Sequence, residues 1–273
     1  MVSPPRLTRW TRSVATGLGD ILRGVGELVF PPACLACDAD TDGRDTLCDA
    51  CHKDLLELAA LPYCPRCGSS IGPNVPIRED GCAGCPSVLP RFARVHRLGP
   101  YRRPIRPGVL RLKYHRDGVI ARRLALLLAE SIRRRRPTDA GGLELVLPVP
   151  MHYGRQFVRG GDHSQRLAAI VARRLDVPLG DDLIRVKDTP PQVHLPRTRR
   201  IENVRDAFAV RGGGDVSGAA VLLVDDVTTT GATANEATRA LLQAGARRVE
   251  LAVLAKAEPP SAYGAFMRAP GEG

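Results

Sequence analysis

Residues 221–233 read VLLVDDVTTTGAT: four aliphatic side chains lead into adjacent carboxylates, Asp225 and Asp226, then into three threonines, a glycine and a further threonine. Carboxylates accept hydrogen bonds from hydroxyls and favour hard cations. Backbone amides at a helix start, with a glycine that permits close approach and hydroxyls that add donors, form a pocket for an anion. The two halves together suit a ligand with vicinal hydroxyls and a phosphomonoester, the description of a ribose 5-phosphate. Thr229, Thr230, Gly231, Ala232 and Thr233 are the candidate phosphate cradle. No lysine follows the glycine, so the loop is not a Walker A motif. A threonine-capped strand-turn-helix would explain the loop but not the paired carboxylates.

The other chemistry-bearing set is the cysteines. All 8 fall into CxxC pairs, Cys34/Cys37, Cys48/Cys51, Cys64/Cys67 and Cys82/Cys85. Each pair turns two thiolates back on one another, and two pairs complete a tetrahedral Zn²⁺ site. Taken in order they make two such sites; an interleaved pairing is compatible with the same spacing. A disulfide module would use the same residues, but the sequence shows no secretory signal to accompany it. No further ligand or open coordination position is evident, so both sites are expected to be structural. His52, beside Cys51, reads as a helix N-terminal residue rather than a ligand.

The elements that must position these groups follow from hydrophobic periodicity. ARVHRLGPY reads as a strand closed by a turn at Gly99 and Pro100, and residues 107–115 and 118–134 as helices. Then come LELVLPVP, a helix from about Ser164 to Leu175, LIRVK, a polar stretch, AAVLLVDD, a helix from about Ala232 to Ala244, and VELAVLAKA. Short apolar strands alternating with helices predict an α/β fold with a parallel sheet covered on both faces, and ligands bind beyond the carboxyl ends of such strands. Asp225 and Asp226 stand at such an end. The expected organisation is an N-terminal amphipathic helix in 1–30, a double zinc-ribbon module in 31–90, the α/β domain in 91–259 and an irregular tail in 260–273. Val14, Leu18, Ile21, Leu22, Val25, Leu28 and Val29 give the first helix its apolar face. It is expected to pack on the protein's own domains, with a membrane surface as the lesser alternative.

The net charge of +11 is unevenly spread. Residues 34–86 are rich in aspartate, whereas 91–136 carry a dense arginine set that includes Arg102, Arg103, Arg106, Arg111 and Arg133 to Arg136. Such a belt favours phosphorylated partners, small or polymeric, although solvated helix faces look the same in sequence. Aromatic residues make up only 4% of the chain, which leaves little material for stacking on single-stranded nucleic acid. No run of 18 apolar residues occurs and no signal-peptide pattern is evident, so a cytoplasmic location is expected.

The carboxylate-threonine run resembles the signature of type I phosphoribosyltransferases: four apolar residues, two acidic ones, two variable ones, then TTGxT. Asp225, Asp226, Thr229, Thr230, Gly231 and Thr233 all match. The likeness extends along nearly the whole chain to the ComF family, through FPPACLAC, the four CxxC pairs, LKYHRDG, LPVPMH, RGGDHSQRLA and RRIENVRDAF. Family members commonly have RGFNQ where this chain has RGGDH at Arg159 to His163.

The resemblance implies a phosphoribosyltransferase-like domain behind a double zinc ribbon, binding phosphoribosyl pyrophosphate with Mg²⁺. It implies catalytic roles for Asp225 and Asp226, and pyrophosphate contacts from the loop after the first core strand, at Pro150, Met151 and His152. Lys113, Arg155 and Arg159 are further pyrophosphate candidates. A covering loop is expected at Lys187 to Ala207, carrying Gln192, Arg197, Arg199 and Arg200, and His152 and His163 are candidate proton-transfer groups. Two activities are compatible with this. One is a pentosyltransferase acting on a nitrogenous acceptor. The other is a non-catalytic competence factor that binds single-stranded DNA during DNA uptake, beside a helicase or ATPase partner.

Overall fold

The computed structural model describes residues 33–41, 47–72, 76, 81–86, 88–114, 118–151, 162–187, 202–212 and 214–258. The chain forms two compact units, Met1–His52 and Lys53–Gly273. The expected N-terminal helix lies outside the described residues, as does most of the expected covering loop.

The first unit holds a zinc knuckle at Cys34 and Cys37, whose turn is closed by the Asp38 amide donating to the Cys34 carbonyl (2.9 Å) and by a bridge between Ala33 and Asp40. Cys48 and Cys51 stand at the start of helix α1 (Asp49–Ala60), the helix expected just after CDAC. The unit boundary falls within α1.

In the second unit a repeat of the knuckle spans Cys64 to Ser70, with Gly68 at φ 76° and a bridge between Tyr63 and Ser70. Strand β1 (Arg94–Pro100) follows, then helices α2 (Ile105–Tyr114) and α3 (Gly118–Arg135). Strand β2 (Leu145–Pro148), helix α4 (His163–Leu175), strand β3 (Leu183–Arg185) and strand β4 (Phe208–Val210) come next. Strand β5 (Ala220–Thr228), helix α5 (Ala232–Gln243) and strand β6 (Arg248–Lys256) complete the order.

Four strands form one parallel sheet in the order β1-β6-β5-β2. The central strands β5 and β6 are near-continuous aliphatic runs because both faces are covered. Val221 and Leu223 join α5 residues Ala237 and Leu241 in one core cluster. Leu222 and Val224 project to the opposite face by strand alternation and are equally inaccessible to solvent. Helix α4 packs on β2, β5 and α3.

Four expectations change. LIRVK does not enter the parallel sheet: Leu183–Arg185 pairs antiparallel with Phe208–Val210, forming a separate ribbon. Phe208 is buried, so the segment that looked uniformly polar ends in a strand. β1 continues through Gly99 and Pro100, because a residue that needs no N–H can end an edge strand. The helix expected from about Ser164 begins one residue earlier, and His163, a candidate proton-transfer group, opens α4 as a buried residue.

Two buried charge clusters fasten the helices and the second knuckle to the sheet. Glu250 on β6 accepts from His96 on β1 (2.7 Å) and takes a bidentate pair of bonds from Arg136 just past α3 (3.0 and 3.1 Å). Burial opposes the Glu250 charge, yet the His96 and Arg136 bonds hold its pKa down at about 2. Arg97 and Glu258, each 1% exposed, pair at 3.1 Å beside Ser70.

Candidate functional site

The parallel sheet brings the carboxylate pair and the threonine loop to one end. Thr228 pairs with Lys256 across β5 and β6, so the loop leaves the sheet beside the end of β6. There the Lys256 ammonium donates to the Thr229 carbonyl, and the Ala257 amide donates to the Thr228 carbonyl at 2.8 Å. Gly231 takes φ 79°, a left-handed value that suits glycine, and a Cβ there would stand 3.5 Å from the Phe92 ring. The loop runs directly into α5. Its N-cap residue, Gly231, has no side chain to offer, and the Ala232 amide donates to the Thr230 hydroxyl at 3.3 Å. Helix-terminal N–H groups lack intrahelical partners, so this geometry aims positive dipole ends into the space over the loop.

That space is a cavity of about 310 Å³ lined by Tyr101, Lys113, Asp225, Thr229, Gly231 and Thr233 among others. Ala232 also lines it, whereas Thr230 faces a neighbouring cavity of about 600 Å³ on the other side of the loop. Asp226 closes the group through Lys113, whose ammonium lies 2.9 Å from its carboxylate. Pro150 and Met151 are not among the described residues lining the cavity. His152, Arg155, Arg159 and Arg199 lie outside the described residues.

Asp225 opens to the cavity but is enclosed on its other sides. Its Oδ1 accepts from Ser164 Oγ of α4 (3.3 Å) and from the Asp226 amide (2.8 Å). Burial, reinforced by the neighbouring Asp226 charge, pushes its pKa up to about 7 despite these bonds and Lys113. Lys113 moves the other way in effect: burial disfavours its charge, but Asp226 and then Asp225 outweigh burial and raise its pKa. The result is a carboxylate pair and an ammonium facing a ring of amides and hydroxyls. That arrangement can accept from paired hydroxyls while donating to phosphate oxygens.

Sequence patterns did not point to Tyr101, Ser164, Lys256 or Asp162. Asp162 N-caps α4, accepting from the Ser164 and Gln165 amides at 2.9 and 3.2 Å, and also accepts from the Met151 amide at 3.2 Å. It thereby ties the segment after β2 to the helix that carries Ser164. The RGGDH departure keeps this role, since Asp caps a helix as well as Asn does. An Asp two residues before a helical polar pattern was the available signal.

The cysteines resolve into Cys34/Cys37/Cys48/Cys51 and Cys64/Cys67/Cys82/Cys85, each set having its sulfurs within 4.8 Å of one another. Individual S···S distances are 3.6 Å for Cys37–Cys48 and Cys64–Cys85, 3.8 Å for Cys67–Cys82 and 3.9 Å for Cys82–Cys85. A tetrahedral ZnS₄ centre with Zn–S of about 2.3 Å has edges of about 3.8 Å, so the donor sets fit zinc. Contact with Cys64 and burial push Cys67 up to about 12, a crowding that a divalent cation relieves. The pairs are consecutive, not interleaved.

Comparison with known proteins matches this architecture. Residues 25–89 match the double zinc ribbon domain and residues 162–264 the phosphoribosyl transferase domain. Competence protein F of Haemophilus influenzae is 30% identical over 228 residues, 82% of this chain and 96% of that protein. The chain belongs to the competence protein F (ComF) family. DNA utilization protein YhgH of Salmonella typhi is 32% identical over 208 residues, 75% of this chain and 88% of its own length. Among solved structures, the glutamine phosphoribosylpyrophosphate amidotransferase from B. subtilis superposes on 53% of this ComF-family chain and 30% of its own, at 20% identity and a TM-score of 0.36. The two four-cysteine groups are the zinc sites of the double ribbon, and the sheet is that of a phosphoribosyltransferase-like domain. Among the described residues no helix is long and apolar enough to cross a membrane.

Proposed function

We propose that this chain binds phosphoribosyl pyrophosphate with Mg²⁺ at the end of β5 and acts as a pentosyltransferase on a nitrogenous acceptor. The observation that carries the reading is the shared cavity in which Lys113 and Asp225 face the loop from Thr229 to Thr233. In this reading the loop amides and the hydroxyls of Thr229 and Thr233 donate to the 5′-phosphate, while the Thr230 hydroxyl accepts from the Ala232 amide. Asp225 and Asp226 accept from the ribose 2′ and 3′ hydroxyls. A carboxylate that takes hydroxyl donors is stabilised in its charged form, so ligand binding would lower the raised Asp225 pKa. Lys113, beside Asp226, would offset charge on the departing pyrophosphate; Pro150, Met151, His152, Arg155, Arg159 and Arg199 are the remaining pyrophosphate candidates.

The acceptor oxygens of Asp225 and Asp226, together with the ligand's own, suit Mg²⁺, which would supply charge neutralisation on pyrophosphate when bound. The protein's part is positional: it holds the sugar's hydroxyls and phosphate at fixed ends so that the anomeric carbon is presented while the leaving group's charge is stabilised.

A second reading rests on the relatives' names, one a competence protein and the others DNA utilization proteins. In it the chain takes part in competence by binding single-stranded DNA in the course of DNA uptake, with a helicase or ATPase as partner. The exposed arginines Arg103, Arg106, Arg122, Arg133 and Arg134 on and around α2 and α3 favour it, since phosphate contacts dominate such binding. One experiment separates the two. The protein is incubated with phosphoribosyl pyrophosphate, Mg²⁺ and a panel of bases while pyrophosphate release is followed, and single-stranded DNA binding is measured at two salt concentrations. Acceptor-dependent release supports transfer. Salt-sensitive DNA binding without release supports the second reading, and neither signal removes both.

A further inference from the structure

The second zinc knuckle and the phosphate loop lie at the two ends of a continuous set of contacts within one compact unit. One path starts between the metal ligands. The Pro65 carbonyl accepts from the Val95 amide at 2.7 Å, so the knuckle extends the start of β1. Arg66 donates to the carbonyls of Pro90 (3.1 Å), Phe92 (3.0 Å) and Ala93, fixing the segment from which the buried Phe92 ring projects against Gly231. The other path starts at Ser70. Its amide and hydroxyl both donate to Glu258, the hydroxyl at 3.0 Å, and Arg97 bridges Glu258 and Ser70. Two residues before Glu258, Lys256 holds the Thr229 carbonyl. Because the peptide is planar and trans, fixing that carbonyl sends the Thr230 N–H to the opposite side.

We propose that the metal in the Cys64/Cys67/Cys82/Cys85 site positions the phosphate loop, so that occupancy of this site sets the loop's affinity for a phosphorylated ligand. The inference deepens the reading of residues 229–233 as a phosphate cradle and rests on it. Among the described residues the knuckle's own core cluster consists of the four cysteines and Ile71. Four close thiolates without a cation repel one another, and structural Zn²⁺ supplies folding free energy to segments this small. Metal loss releases Arg66 and Ser70 together. The Phe92 segment then loses its three carbonyl anchors, and the Arg97–Glu258 pair loses the hydroxyl and amide that complete it. A buried ion pair stripped of its auxiliary hydrogen bonds is poorly compensated, so the end of β6 loosens with Lys256 in it.

The test uses the full-length chain and two variants. Cys85→Ser removes one ligand of the second site, and Glu258→Gln keeps all eight thiolates while weakening the link to Ser70 and Arg97. Zinc content is counted, amide hydrogen exchange is followed across residues 228–233 without ligand, and ribose 5-phosphate binding is measured by calorimetry. Cys85→Ser, having lost one zinc, is expected to exchange its loop amides roughly tenfold faster and to bind ribose 5-phosphate more weakly by a similar factor, within the range of ordinary site-to-site coupling. Glu258→Gln, with both metals kept, is expected to shift both quantities in the same direction. Wild-type loop exchange in Glu258→Gln would overturn the proposal, and this variant carries the test if Cys85→Ser does not fold. Failure of the wild type to bind ribose 5-phosphate would instead remove the phosphate-cradle reading, while the exchange data still decide whether zinc and loop are linked.

Discussion

Lys113 Nζ stands 2.9 Å from Asp226 Oδ2, so the site carries its own cation against the carboxylate pair. Helix α2 delivers that ammonium from a segment more than a hundred residues upstream, and the sheet delivers the carboxylates. The pair lowers the repulsion between Asp225 and Asp226 and keeps a positive charge where pyrophosphate would depart. Replacing Lys113 with Met keeps the aliphatic stem and removes the charge. Lys113→Met is expected to weaken phosphoribosyl pyrophosphate binding roughly tenfold or more, the size of one charged hydrogen bond, and ribose 5-phosphate binding much less. Calorimetry with both ligands checks this; equal losses for the two would mean that Lys113 serves the sugar rather than the leaving group.

The raised pKa of Asp225 gives a pH signature. Its folded value of about 7 lies above the ordinary carboxylate value, so between about pH 4 and 7 the folded state binds a proton that the unfolded state has released. Stability therefore falls as pH rises through that window. Asp225→Asn removes the term. The melting temperature of Asp225→Asn relative to wild type is expected to rise from pH 4.5 to pH 8 in thermal scans without ligand. A difference independent of pH would show that the carboxylate is not held in its neutral form.

Acid should act in the opposite sense at the far side of the sheet. Glu250 has its pKa held at about 2, below the unfolded value, and burial keeps His96 below its ordinary value. Both contributions are present above the unfolded pKa values and lost as pH falls, His96 from about pH 6.5 and Glu250 between about pH 4.5 and 2. Arg136→Met leaves the Glu250 charge without its bidentate partner and is expected to cost about 3 kcal/mol or more in denaturant unfolding at pH 7, with a smaller cost at pH 3.

The proposed phosphate loop can be probed at its glycine. Gly231 has φ 79° and faces Phe92, so Gly231→Ala forces a left-handed alanine and is expected to cost about 1–2 kcal/mol of stability. Thr233→Val preserves shape and removes one hydroxyl, and is expected to cost about 1–3 kcal/mol in ribose 5-phosphate binding with little change in unfolding. Chemical denaturation and calorimetry together distinguish a loop that binds from one that only caps α5.

Much of this was legible in the sequence because the signals were local. VLLVDD announced a strand buried on both faces with charge near its end, although β5 runs on past the aspartates to Thr228, and the CxxC spacing announced the metal sites. The antiparallel ribbon was not legible: Leu183–Arg185 and Phe208–Val210 are three residues each, too short for periodicity to separate them from loop. The pairing of the cysteines also needed the fold, since spacing alone permits interleaving. Lys256 and Glu258 were missed for a different reason. Lys256 ends β6 and Glu258 lies two residues beyond it, each a single polar residue after an apolar run, and only the folded chain shows that one meets Thr229 and the other Ser70. Tyr101 and Ser164 likewise acquire meaning only when distant segments converge.

The central claim concerns the carboxylate pair at the end of β5, and calorimetric titration with Mg²⁺ and phosphoribosyl pyrophosphate tests it most directly. Wild type is compared with the double variant Asp225→Asn, Asp226→Asn, with zinc content and unfolding measured alongside. Loss of binding in the double variant, with two zinc ions retained and a cooperative unfolding transition, is the predicted result. Undiminished affinity in that variant would contradict the account.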